Sequence, residues 1–124
     1  MRESRLFLLL GAVGGFFAVA FGAFGAHGLR DILSPGMLAT FRTGVNYQAT
    51  HSLALLAVGL LLQQEDRGAF RLAGWGFTLG MLAFSGSLYL LALTDAHWLG
   101  MVTPLGGLGF LLGWGSLAWG LLRR

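Results

Sequence analysis

The chain contains no cysteine and no lysine. The first absence removes disulfides, thiolate nucleophiles and thiolate metal sites. Charge is scarce too: 10% of the 124 residues carry one, against about a quarter in an ordinary soluble domain. Apolar residues make up 56% of the chain, and the mean hydropathy is +0.73. That balance suits lipid as the solvent rather than water. The net charge of +3 comes from eight arginines against five acids, which lie between apolar runs and form no patch. Such a distribution orients a protein in a membrane and argues against a nucleic-acid partner.

A helix needs about 20 mostly apolar residues to cross a bilayer. Four stretches qualify, at 6–26, about 47–62, 72–93 and 104–122. The opening "MRESRLFLLLGAVGG" has the charged start of a secretory signal, and Ala18-Val19-Ala20 is similar to a cleavage site. Its apolar run over 6–26 nevertheless exceeds the usual signal core of about 7–15 residues, so it reads as a retained membrane helix. "SPG" at 34–36 reads as an N-cap serine followed by a proline at the first helical position, where a missing N–H costs nothing. The second helix is therefore expected to start near Pro35, with its first turns in the membrane interface or with a bend near Gly44. "TP" at 103–104 predicts the start of the fourth helix by the same capping chemistry.

With four spans, Arg2, Arg5, Arg67, Arg71, Arg123 and Arg124 share one side, and Arg30 and Arg42 the other. The positive-inside rule then places both termini in the cytoplasm. Trp75 and Trp119 fall at the inner interface and Trp98 at the outer one, as an aromatic belt requires. Helices in lipid associate through close approach of small residues. The first helix offers Gly11, Gly15, Ala18, Gly22 and Gly25; the second Thr50, Ala54 and Ala57; the third Gly76, Gly80, Ala83 and Ser87; the fourth Gly106, Gly109, Gly113, Ser116 and Gly120. The expected fold is an all-α membrane protein: one four-transmembrane-helix bundle over 1–124, with an interfacial segment between helices one and two. The same seams suit a homo-oligomer. "GGLGFLLG" follows no strand and is not a nucleotide loop.

Polar side chains gather toward the outer half. His27, Asp31, Asn46, Tyr47, Gln48, Thr50, His51, Asp95, His97 and Thr103 belong there, and Ser85, Ser87 and Tyr89 approach the same level. Gln48, His51, Ser52 and Leu55 share one face of helix two. An ionisable group such as His51 inside a span is a functional candidate. The structural reading is a neutral imidazole bonding between helices, and for His27 a contact with the free carbonyls of its helix end. Three histidines on one side raise a metal or haem site, with Asp31 or Asp95 as further ligands. No pair has tight H-x-x-x-H spacing, and no metal or cofactor is expected. Ser85 and Ser87 lack a G-x-S-x-G setting, so no hydrolase is expected either. Asp95 either orients His97 or caps its loop.

Four blocks in order complete the pattern: "GAFGAHGL" (22–29), Phe41 with "TGVNYQATHSLAL" (43–55), "FSGSLYLLALT" (84–94) and "TPLGGLGFLLGW" (103–114). Over nearly the whole chain they resemble the YgdD-like family of small inner-membrane proteins, domain of unknown function 423. The resemblance implies a four-span inner-membrane protein and no particular activity. His27, Tyr47, Gln48, His51, Ser85, Ser87, Tyr89, Thr103 and Pro104 match its motif positions. Asp95, His97 and Trp98 fall where the pattern is loose.

The functional expectation is a non-enzymatic, multi-pass membrane component. It binds a partner or lipid through His27, Asn46, Tyr47, Gln48 and His51, with Ser85, Ser87, Tyr89 and Thr103 closing the site. Its partners are the bilayer, a second copy or another membrane protein, and a lipid or small apolar ligand. The alternative is a small transporter or proton-coupled carrier in which His51 titrates, although no acidic residue lies within a span. A haem- or metal-binding membrane protein is the third reading.

Overall fold

The computed structural model describes residues 2–123; Arg124, one of the six arginines counted above, lies outside them. It forms α1 (Arg2–His27), α2 (Pro35–Gln64), α3 (Gly68–Thr94) and α4 (Thr103–Leu122), with a 3-10 turn at His97–Met101 leading into α4. All four helical segments are long and apolar enough to cross a membrane. Each expected span lies inside one of them.

Local chemistry sets the ends. Ser34 is the N-cap of α2: its hydroxyl accepts from the Met37 N–H at 3.2 Å, and Pro35 follows as the first helical residue. From there α2 runs unbroken through Gly44 to Gln64. Asp95, at φ 58, ends α3 in the left-handed region, and its N–H bonds the Leu91 carbonyl. The start of α4 differs from expectation. Val102 precedes it with helical angles, and no side chain caps the helix. The 3-10 turn feeds straight in, so no extended cap residue exists for Thr103 to be. Its hydroxyl turns instead to the Leu99 carbonyl and to Ser87.

The helices pack in chain order, α1 on α2, α2 on α3, α3 on α4, while α1 and α3 barely meet. The closest seam is α3–α4. Gly76 lies against the backbone of Gly109 and Gly113, and Gly80 against Gly106 and Gly109. Three phenylalanine rings fill the hollows left by glycines across the seam, Phe110 at Gly80, Phe77 at Gly113 and Phe70 at Gly120, while Gly106 lies against the backbone and Cβ of Phe84. Small residues let the backbones approach, and rings fill what remains. On α1 the expected seam holds only in part. Gly11, Ala18 and Gly25 are buried, but a side chain at Gly15 would meet nothing within 4 Å.

The start of α1 and the end of α4 share one end, where Trp75 donates to Glu3 at 2.9 Å and Arg67 to the Arg123 carbonyl at 3.2 Å. Arg123 also stacks on Trp119. The main core lies in this half, around Phe7, Leu55, Val58, Phe70 and Phe77. A smaller one, of Leu29, Phe41 and Ala92, closes the far end.

Candidate functional site

In lipid no water competes for polar groups, so each buried one must find a partner inside the protein. Among the described residues no buried side-chain nitrogen or oxygen lacks one. The polar residues expected to form one cluster divide into three groups.

The first lies between α1 and α3. Gln48 projects from α2; its amide N–H donates to the Gly14 carbonyl at 2.8 Å, and its oxygen accepts from the Tyr89 hydroxyl at 2.6 Å. Three helices meet in that one amide. Just below, Ser85 donates to the Gly44 carbonyl of α2 at 2.7 Å. Where α1 and α3 stand apart, these residues form the floor of a groove of about 390 Å³. Its walls are Leu10, Val13, Phe17, Met81 and Leu82, and Gly86 forms an open notch in one of them. The floor keeps bonding capacity: one Gln48 N–H and the acceptor lone pairs of Tyr89 and Ser85 are not used by these three bonds.

The second group centres on His51, which is 4% exposed. An indole N–H can only donate, so the 3.0 Å bond from Trp114 makes His51 Nε2 an acceptor. Nδ1 therefore carries the proton and donates to the Tyr47 carbonyl, at 2.7 Å. The ring lies on Phe110 at 3.6 Å between centroids, with Phe77 and Tyr47 alongside. A proton added at Nε2 would set two donors face to face. His51 is a tie between α2 and α4.

The third group joins Ser87 and Thr103 at 2.6 Å, with the Phe84 and Leu99 carbonyls as further acceptors, and pins the start of α4 to α3. His27 and Asn46 join none of the three. Both are exposed, His27 as the last residue of α1. Tyr47 is 44% exposed and contributes its carbonyl and its ring face. The His97 and Asp95 side chains meet at 3.3 Å, both exposed, while the Asp95 backbone ends α3. Among the described residues no three of His, Asp or Glu converge as metal ligands would.

A family model described as a protein of unknown function, DUF423, matches residues 21–107. The chain belongs to the DUF423 family. It is 46% identical over 117 residues to the UPF0382 membrane protein of Haemophilus influenzae, covering 94% of each chain. It is 41% identical to the Bacillus subtilis UPF0382 membrane protein YwdK, covering 89% of this chain and 90% of that one. With the Escherichia coli UPF0382 inner membrane protein YgdD it shares 40% identity, over 97% of this chain and 92% of the relative. No solved structure matches. Together with the four spans, these relatives make the chain a multi-pass protein of the cell inner membrane. The DUF423 match takes in Gln48, His51, Ser85, Tyr89 and Thr103, but Trp114 lies beyond its end. Sequence reasoning missed Trp114 as the partner of His51. The signal was available: an indole N–H well inside an apolar span needs an acceptor, and a buried imidazole is one. The Gly14 and Gly44 carbonyls left no such signal, because every residue has one.

Proposed function

We propose that this DUF423 protein is a non-enzymatic, single-domain membrane component that holds one membrane-soluble amphiphile, a lipid or small apolar ligand, in the α1–α3 groove. The observation that carries this is the groove itself: apolar walls open toward the bilayer, above a floor of Gln48, Ser85 and Tyr89. Apolar lining with a few placed polar groups is the usual build of a small-ligand site. A chain would lie along Leu10, Phe17 and Met81, and a hydroxyl or carbonyl head would meet the Gln48–Tyr89 pair. The non-enzymatic reading draws support from Ser85 and Ser87, whose hydroxyls bond helix carbonyls and face no base. The carrier alternative loses its titrating group to the Trp114 bond.

Gly86→Trp is the test, because a Cβ there meets nothing within 4 Å and the position lines the groove that the indole is meant to occupy. Native mass spectrometry in a mild detergent is expected to find a defined extra mass on the wild type that Gly86→Trp loses. A bare wild-type chain, or a bare oligomer unchanged by Gly86→Trp, would turn the search to protein partners and overturn the reading.

Orientation is part of the same proposal. The arginine count supports cytoplasmic termini, and the groove floor then lies in the outer half. At about 1.5 Å per residue the 30-residue α2 is about 45 Å long. A hydrocarbon core is only about 30 Å thick, so its first turns would occupy the outer interface. The chain has no native cysteine, so single substitutions report sidedness cleanly. Asp31→Cys should react with an impermeant maleimide from outside intact cells and Gln64→Cys only after lysis; the reverse pattern would invert the topology.

A further inference from the structure

A second cavity, of about 340 Å³, lies at the terminal end of the bundle, outside the α1–α3 groove. Arg2, Glu3 and Ser4 of α1, Leu62, Asp66 after α2, and Arg71 of α3 form its lining. Arg71 pairs with Asp66, and its Nε lies 3.8 Å from Glu3. The other Glu3 oxygen accepts from the Trp75 indole at 2.9 Å. Asp66 is 75% exposed, so its carboxylate stands at the cavity mouth. Buried Leu62 lies at the apolar end of the cavity. Trp75 and Trp119 belong to the same end, and tryptophan at a helix end marks the headgroup level of a bilayer.

Among the described residues, two guanidinium groups and two carboxylates give this lining balanced charge and make it strongly bipolar. A lone anion drawn to Arg71 would leave Asp66 and Glu3 uncompensated, and a lone cation drawn to those carboxylates would leave Arg71 so. A headgroup carrying both charges meets neither cost. We infer that this cavity is a phospholipid-headgroup site selective for a zwitterion with a primary ammonium, as in phosphatidylethanolamine. The phosphate faces Arg2 and Arg71, where the first-turn N–H groups of α1 add donors. The ammonium donates to Asp66 and Glu3, which a quaternary ammonium cannot do for want of N–H bonds.

The test is lipid retention from vesicles holding equal parts phosphatidylethanolamine, phosphatidylglycerol and phosphatidylcholine with identical acyl chains. The full-length protein is extracted in mild detergent and its bound lipids are weighed by native mass spectrometry. Phosphatidylethanolamine is expected to exceed phosphatidylcholine by about fivefold, the upper end for one exposed charge pair. Glu3→Gln with Asp66→Asn should bring the two to parity, while Gly100→Ala, whose Cβ meets nothing within 4 Å and which lines neither cavity, leaves the ratio as it was. A second measurement needs no variant: successive N-methylation of the ethanolamine should lower wild-type retention stepwise. Equal or greater retention of phosphatidylglycerol, a preference that survives the double substitution, or indifference to methylation would overturn the assignment.

Discussion

Gly76→Val should part α3 from α4 and cost the bundle about 3 kcal/mol or more, at the top of the range for overpacking a core. The reason is what the new side chain meets. A Cβ at Gly76 falls 2.9 Å from the Gly109 carbonyl oxygen and 2.9 Å from the Gly113 nitrogen. These are backbone atoms of a helix and cannot swing aside as a side chain can. Relief requires α4 to move bodily, which withdraws Phe77 from Gly113 and Phe110 from Gly80, and pulls Trp114 off His51. Gly115→Val on α4 is the control, because its Cβ meets nothing within 4 Å. Thermal unfolding in detergent, followed by circular dichroism, should show a large fall for the first and little change for the second. Equal behaviour of the two would mean that the seam is not the close contact described.

His51→Ala should cost about 3 kcal/mol, since it empties an aromatic-walled space and strands a donor. The lost ring lies 3.6 Å from Phe110, and the stranded group is the Trp114 N–H. Trp114→Phe leaves His51 Nε2 without its donor and should cost about 1–3 kcal/mol. Removing both polar partners together, as His51→Leu with Trp114→Phe, should cost less than the sum of His51→Leu alone and Trp114→Phe alone, because neither member is then left unpaired; wild type, these two single variants and the double complete the cycle. Denaturant titration of the four proteins reads that coupling. Full stability in His51→Ala with loss of the bound mass would instead make His51 a ligand contact and reverse its assignment as a tie.

Much of the architecture was readable because a bilayer reduces the choices. A run such as 6–26, with no water to satisfy its backbone, has only the helix available. The SPG start of α2 was readable for a local reason: the cap and its acceptor lie three residues apart. The same logic failed at Thr103, whose environment is decided by the 3-10 turn before it and by Ser87 on another helix. The polar residues read as one cluster fall into three groups, with His27 and Asn46 in none of them. Gln48 and His51 do share a face of α2, and all of Gln48, His51, Ser52 and Leu55 are buried. Three residues along a helix still turn a side chain far enough to choose a different neighbour, so Gln48 reaches α1 and α3 while His51 reaches α4.

By itself the sequence determined the solvent, the number of spans and the small residues of the α3–α4 seam, because these follow from hydropathy, period and residue size along one chain; of the seam expected on α2 only Ala54 is buried, while Thr50 and Ala57 are exposed. Only the tertiary structure decided which helix each seam meets, that α1 and α3 stand apart over a polar floor, and that Trp114 commits the one buried histidine. Those outcomes depend on how far apart two backbones come to rest, a distance set jointly by glycines on both helices and by the rings that fill the space between them.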